Sequence, residues 1–278
     1  MKKVTNELIE DFKKYLIEEE KSKNTIDKYI RDIGALKDWL GDRELTKELV
    51  IQYKTYLGDN YAPTSTNSLL SAVNAFFDYL EWYELKVKTI KIQRQIFANK
   101  ENELTKAEYG RLLKIAKAKK NQRLYLLMQT ICACGIRVSE LEFITVEALK
   151  SGVATIRCKG KLRKVYIPFD LCTMLKAYTK ERKIRSGSIF VTRNGTPLDR
   201  SNIWSDMKKL CKDARVSPSK VFPHNLRHLF ARTYYSAEKD VVRLADILGH
   251  SSVDTTRIYT METGDIHRKQ IQKLGLLL

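Results

Sequence analysis

Hydrophobic positions in the first 88 residues recur three and four apart, the period of amphipathic helices. Leu8, Ile9, Phe12, Leu16 and Ile17 mark one face. Ile26, Tyr29, Ile30, Ile33 and Leu36–Leu40 mark a second, and Thr46–Leu57 carries a third. A fourth helix starts near Thr64 and bears Leu69, Leu70, Val73, Phe76, Phe77 and Leu80. Four helices in so short a stretch predict a small all-α domain over residues 1–88. The stretch from Lys86 to Arg94 is basic, alternates weakly and has no helical face, so residues 89–102 read as a linker. A second domain, 103–278, opens at Leu104-Thr105-Lys106-Ala107-Glu108. Thr105 and Glu108 stand at the spacing of a capping box, in which each side chain takes the other's free amide. Helices follow to about residue 143. Val153–Cys158 and Val165–Ile167 predict two short strands around a cation-rich turn, Lys159–Lys164. Further helices are expected over about 169–183, 199–214, 224–238, 240–248 and 264–274. The fold class is mainly α in two domains, the second mixed α+β with a small antiparallel sheet.

Charge sharpens this division. The chain has 278 residues and a formal net charge of +18. Residues 1–88 hold 14 Lys+Arg against 16 Asp+Glu, whereas residues 89–278 hold 37 against 17. The basicity belongs to the second domain, and a polyanion such as nucleic acid is the natural partner. No stretch approaches the roughly 20 apolar residues of a transmembrane helix. Met1-Lys2-Lys3-Val4-Thr5-Asn6-Glu7 lacks a signal peptide's apolar run, so the cytoplasm is the expected location. Five unclustered cysteines, Cys132, Cys134, Cys158, Cys172 and Cys211, read as reduced core thiols rather than a zinc site or disulfides.

Four segments carry candidate chemistry: Cys134-Gly135-Ile136-Arg137-Val138-Ser139-Glu140-Leu141, the turn at Lys159, His224-Asn225-Leu226-Arg227-His228, and Leu248-Gly249-His250 leading to Thr255-Thr256-Arg257-Ile258-Tyr259. Metal-free DNA strand transfer would use these residue types. The scissile phosphate gains charge as a fifth oxygen approaches, and planar, permanently charged guanidiniums such as Arg137 and Arg227 suit it. An attacking hydroxyl needs a base, for which histidine is suited, and a leaving 5′ oxygen needs an acid such as lysine. A tyrosine nucleophile forms a covalent link that keeps the bond energy for rejoining. Singly, each element has a bland alternative. Turn cations can be merely solvated, His224 can make a structural hydrogen bond, His250 can cap a helix end, Arg137 can pair with Glu140, and Tyr259 is one of 14 tyrosines.

Together, their order and spacing resemble the tyrosine recombinase family, the phage-integrase and Xer-type enzymes. The resemblance spans nearly the whole chain. It includes Lys23–Asp32 and Leu69–Val73 in the first domain. In the second it includes Leu104-Thr105-x-x-Glu108, Gly135-x-Arg137-x-Ser139-Glu140-Leu141, Lys159-Gly160, His224-x-Leu226-Arg227-His228 and Leu248-Gly249-His250-Ser251-Ser252 with Thr255-Thr256-x-x-Tyr259. It implies a site-specific DNA recombinase whose first domain binds the core DNA site. Arg137 and Arg227 would hold the scissile phosphate and Lys159 would protonate the leaving oxygen, with Lys161 as the rival acid. His224 would act in proton transfer from the tyrosine, His250 would bond a non-bridging oxygen, and Tyr259 would attack to leave a 3′-phosphotyrosyl link. Glu140 would orient the surroundings of Arg137. No metal or nucleotide cofactor is required.

The resemblance also implies double-stranded DNA recombination sites as partners, a tetramer on two sites, and a Holliday-junction intermediate. The tail Gly264–Leu278 ends in Leu274-Gly275-Leu276-Leu277-Leu278 and suits docking either on a neighbouring protomer or on its own core. DNA contacts are expected from Lys23, Asn24, Thr25 and Lys28, from Thr64, Ser65 and Thr66, and from Lys161 and Arg163. Many relatives carry arginines on the fourth helix where this chain has Ser68, Asn74 and Ala75, so the first domain should bind DNA weakly alone. No extra N-terminal module for a second class of DNA site is expected. The alternatives are a type IB topoisomerase, which shares the chemistry, and a DNA-binding protein without cleavage.

Overall fold

The computed structural model describes residues 2–92, 100–158, 161–192, 194–260 and 272–274; of Lys100, Cys158 and Lys161 only the backbone is described. The chain forms two compact units, Met1–Arg94 and Gln95–Leu278.

The first unit contains α1 (Asn6–Glu18), α2 (Lys23–Leu40), α3 (Lys47–Asn60) and α4 (Pro63–Tyr79). Thr5, Ser22 and Thr46 cap the first three by accepting from the amides of Leu8, Thr25 and Leu49. Pro63 starts α4, where its missing N–H costs nothing. The apolar stripes read from the sequence meet in one core built on Phe12, Leu16, Ile33, Leu36, Leu57 and Phe76. Each such burial contributes about 1.5–3 kcal/mol. Asp32 is buried at the edge of this core, bonded to Lys28 Nζ at 2.5 Å and Arg31 Nη2 at 3.2 Å.

The stretch after α4 is less free than its composition suggests. Asn74 donates to the Val87 carbonyl at 2.9 Å and accepts from the Val87 amide at 3.0 Å. Asn67 treats Ile90 the same way, at 2.8 and 2.7 Å. Two amide side chains thus replace a strand partner and tie residues 87–90 to α4, and Val87 is buried. Residues 93–99 of the expected linker lie outside the described residues.

The second unit runs α5 (Lys106–Ala118), α6 (Gln122–Cys134), a 3-10 turn (Val138–Phe143), α7 (Val146–Ser151), β1 (Val153–Cys158), β2 (Lys161–Tyr166), α8 (Phe169–Glu181), α9 (Arg200–Lys208), α10 (Cys211–Ala214), α11 (Pro223–Glu238) and α12 (Val241–Leu248). Short 3-10 turns follow at Val253–Thr255 and Arg257–Tyr259. The expected capping box of α5 is formed, Glu108 N to Thr105 Oγ1 at 3.1 Å and Thr105 N to Glu108 Oε2 at 2.8 Å. The core gathers Leu127, Met128 and Ile131 of α6, Leu175 of α8 and Leu226 of α11.

Three local expectations change. The second strand starts at Lys161, not Val165, because β1 and β2 pair antiparallel along their whole length, from Val153 opposite Tyr166 to Cys158 opposite Lys161. Lys161–Lys164 therefore belong to a ladder rather than a turn. The helix expected over 199–214 breaks into α9 and α10. The segment after Cys134 is a 3-10 turn plus α7 rather than a continuation of α6. The helix expected at 264–274 lies outside the described residues except for 272–274.

Candidate active site

The site begins where α6 ends. Gly135 terminates α6 with φ +62°, a conformation that favours glycine, and a Cβ there would fall 2.4 Å from the Phe230 ring of α11. This close approach turns the chain so that Arg137 emerges at the start of the 3-10 turn. Glu140, one turn on, is buried. It accepts from the Arg137 amide at 2.7 Å through Oε2 and from Arg137 Nη1 at 3.0 Å through Oε1.

Arg227 comes from α11 and is completely shielded from solvent. Its Nη1 donates to the Gly135 carbonyl at 2.7 Å, and its Nη2 donates to the Leu248 carbonyl at 2.7 Å. Glu140 Oε2 stands 3.8 Å from Nη1, within ion-pair range but beyond a hydrogen bond. The Arg227 Nε has no protein partner. Two neutral carbonyls thus hold this guanidinium without cancelling its charge. Burial, then the nearby Arg137, lowers its pKa to about 10, and it stays protonated at neutral pH.

His250 follows Gly249, which ends α12 in a left-handed conformation at φ +64°. Arg227 Nη2 lies 3.0 Å from His250 Nε2, and Thr256 Oγ1 lies 2.8 Å from Nδ1. A guanidinium can only donate, so Nε2 accepts and the proton sits on Nδ1, donated to Thr256. Burial first, then Arg227 and Arg137, push the His250 pKa down to about 4, consistent with a neutral ring. His224, at the first turn of α11, is exposed to the cleft, but partial desolvation of its ring, then Arg227, Arg137 and Arg200, lower its pKa as well.

Tyr259 is buried among Ala231, Leu244 and Leu248. Its ring lies edge-on to His228 with centroids 5.1 Å apart, and nearly parallel to His250 at 6.4 Å. His228 also meets His224 edge-on at 4.3 Å. Burial raises the Tyr259 pKa, opposed by Arg227 and Arg137. The free hydroxyl is therefore a weak nucleophile at neutral pH and needs a base.

A cleft of about 540 Å³ opens beside these groups, lined by Arg137, Ser139, His224 and Arg227 and by Arg200 and Trp204 of α9. Arg137, His224, Arg227, His250 and Tyr259 are thus brought into one cluster from separate segments. Lys159 lies outside the described residues, as does the side chain of Lys161.

The expected DNA-contacting residues divide. Lys23, Asn24, Thr64 and Ser65 are exposed at the first turns of α2 and α4. Thr25 is half-buried and its hydroxyl bonds Ser22 at 2.8 Å. Thr66 is fully buried and donates to the Leu57 carbonyl at 3.1 Å, so it cannot face DNA. Lys28 is engaged by Asp32 and by the Ser68 carbonyl at 3.0 Å. Asn74 is committed to Val87. Arg163 turns inward, its guanidinium bonded to Glu140 and to the Ile247 carbonyl, instead of reaching outward. Parity was the available signal for Arg163. Side chains two apart share a strand face, and Val165 is buried. Arg200 and Trp204 line the cleft without having been singled out from the sequence, and Thr256 and His228, quoted there only as parts of motifs, contact His250 and Tyr259.

The chain matches known proteins along nearly its whole length. Residues 102–264 match the phage integrase family, and residues 9–84 match the phage integrase N-terminal SAM-like domain. The chain is 32% identical to tyrosine recombinase XerA of Thermococcus kodakarensis, over 98% of this chain and 96% of that protein. It is 26% identical to tyrosine recombinase XerD of Vibrio cholerae, over 86% of each. Its fold is shared with a lambda integrase tetramer bound to a Holliday junction, at TM-score 0.70 and 19% identity, covering 91% of this chain and 76% of that one.

Proposed function

Because this chain belongs to the phage integrase family and is a tyrosine site-specific recombinase, we propose that it breaks and rejoins DNA with Tyr259 as its nucleophile. The observation that carries this reading is the cluster itself: two arginines that share one carboxylate with a third and so keep excess positive charge, two neutral histidines and one buried tyrosine gathered from distant segments.

The phosphate enters the cleft and accepts from Arg137 and Arg227, which stabilise the charge that grows on its non-bridging oxygens. His224, kept neutral by partial desolvation of its ring and by three arginines, takes the tyrosine proton. The Tyr259 oxygen bonds to phosphorus and the bond to the 5′ oxygen breaks. Lys159 gives that oxygen a proton, with Lys161 as the rival donor. The products are a 3′-phosphotyrosyl link and a free 5′ hydroxyl. A 5′ hydroxyl from the partner duplex then reverses the step. In the free site Nε2 of His250 accepts from Arg227. Once phosphate takes that arginine, Nε2 binds a proton and donates to a non-bridging oxygen, so its pKa rises above 4 on DNA.

The partners are double-stranded recombination sites, held by a tetramer and exchanged through a Holliday junction. The first unit grips the core site through Lys23, Asn24, Thr64 and Ser65. The same chemistry serves integration and excision of a mobile element and resolution of chromosome dimers.

Duplexes selected from a random pool by the Tyr259→Phe protein, then placed twice in one plasmid, test the reading. The wild-type protein is expected to delete or invert the DNA between the sites. Tyr259→Phe should bind the same duplex and recombine nothing. Relaxation of a supercoiled plasmid carrying no selected site, with no recombination of the two-site plasmid, would instead identify a topoisomerase.

A further inference from the structure

Arg163 sits mid-strand in β2, opposite Ile156 of β1. Lys164 and Tyr166 beside it are exposed, yet the Arg163 side chain is only 15% exposed. Its two terminal nitrogens point to different elements. Nη2 donates to Glu140 Oε2 at 2.5 Å, and Nη1 donates to the Ile247 carbonyl at the end of α12. Its stem crosses Gly249 so closely that a Cβ there would lie 2.6 Å from Arg163 Cδ. Gly249 thus serves two needs, the left-handed turn before His250 and room for this arginine.

Resting on the recombinase reading above, we infer that Arg163 is a positioning residue that fixes Glu140 and the end of α12, so that Arg137, Arg227 and His250 hold the phosphate-binding geometry without Arg163 touching DNA.

The physical reason lies in how Glu140 is shared. A carboxylate among three guanidiniums gains most by pairing bidentately with one of them. If it paired so with Arg227, it would neutralise the charge that a phosphate needs. Arg163 occupies Oε2 and leaves Arg137 bonded through Nη1 to Oε1, while Arg227 stays 3.8 Å from the carboxylate. At its other end Arg163 holds the Ile247 carbonyl, next to the Leu248 carbonyl that receives Arg227 and two residues before Gly249 and His250. Only a forked, planar group can reach both targets at once, so lysine is not an equivalent replacement.

Arg163→Ala and Arg163→Lys test this on the full chain with the selected duplex. Both are expected to bind DNA within about threefold of wild type, with an unchanged dependence of affinity on salt. At saturating DNA, formation of the covalent adduct should fall at least about 100-fold in Arg163→Ala and at least about 10-fold in Arg163→Lys. The lysine variant keeps a cation beside the buried Glu140, so it remains informative if the alanine variant fails to fold. The His250 titration, followed by NMR without DNA, should move up from about 4 in Arg163→Ala, because Arg163 is one of the charges holding it down.

A tenfold or larger affinity loss with a salt slope smaller by about 1, and wild-type cleavage at saturating DNA, would make Arg163 a direct phosphate contact and overturn the inference. Unchanged binding and unchanged cleavage would overturn it equally. If wild type forms no adduct at all, the recombinase reading itself fails. If wild type forms the adduct and the variants match it, only the role of Arg163 falls.

Discussion

Among the described residues, each unit of this protein buries one carboxylate among cations, and the two do it differently. Asp32 in the first unit is 2% exposed and takes Lys28 and Arg31 from its own helix. Arg31 is 74% exposed, so water can carry its charge if the carboxylate is lost. Glu140 in the second unit is also 2% exposed, but only one of its cations is local: Arg137 comes from its own turn, Arg163 from β2 and Arg227 from α11. Arg227 is wholly buried and has no recourse to solvent. The first arrangement keeps its charges within one helix, where both cations reach solvent. The second leaves an excess of fixed positive charge facing a cleft, the condition for seizing an anion.

Removing each carboxylate should separate these cases. Glu140→Ala strands buried guanidiniums, and breaking such a buried pair costs about 3–5 kcal/mol. Chemical denaturation should show that loss in the second unit, together with loss of covalent adduct formation.

Mild acid should act on the second unit through its histidines, because all four of the chain lie in it. His228 and His250 have folded pKa values of about 3 and about 4, each lowered first by burial. The unfolded chain binds protons near 6.5, so the stability these rings contribute is complete above 6.5 and declines as pH falls toward the folded values. At pH 5 the loss is up to about 2 kcal/mol per ring. Thermal unfolding at pH 7 and pH 5 should show it, and His228→Phe should reduce the difference.

Asp32→Asn should cost less, about 1.5 kcal/mol, since Arg31 can return to water. It should lower the stability of the first unit and leave cleavage of a saturating duplex unchanged. A loss of cleavage as large as that of Glu140→Ala would erase the distinction between the two carboxylates.

Much of this was legible in the sequence. The helices of the first unit follow their apolar stripes, and Thr105 with Glu108 announced α5. Arg137, His224, Arg227, His250 and Tyr259 stood out because each lies in a compact motif. What stayed hidden depends on contacts between distant segments. Asn67 and Asn74 look like a polar face of α4, and nothing local says that they grip Val87 and Ile90. Thr66 looks like its exposed neighbours Thr64 and Ser65, but the helix turn sends it inward to the Leu57 carbonyl. Arg163 read as a turn cation because β2 was taken to start at Val165. Once the strand is extended to Lys161, its parity with Val165 places it inside.

The central claim is that Tyr259 becomes covalently joined to DNA, and a nicked suicide substrate built from the selected duplex tests it most directly. Release of the short fragment next to the nick prevents rejoining and traps the protein on the 3′ phosphate. Peptide mapping of the adduct should find the DNA on Tyr259, and Tyr259→Phe should trap none. An adduct on another residue, or one that persists in Tyr259→Phe, would contradict the account.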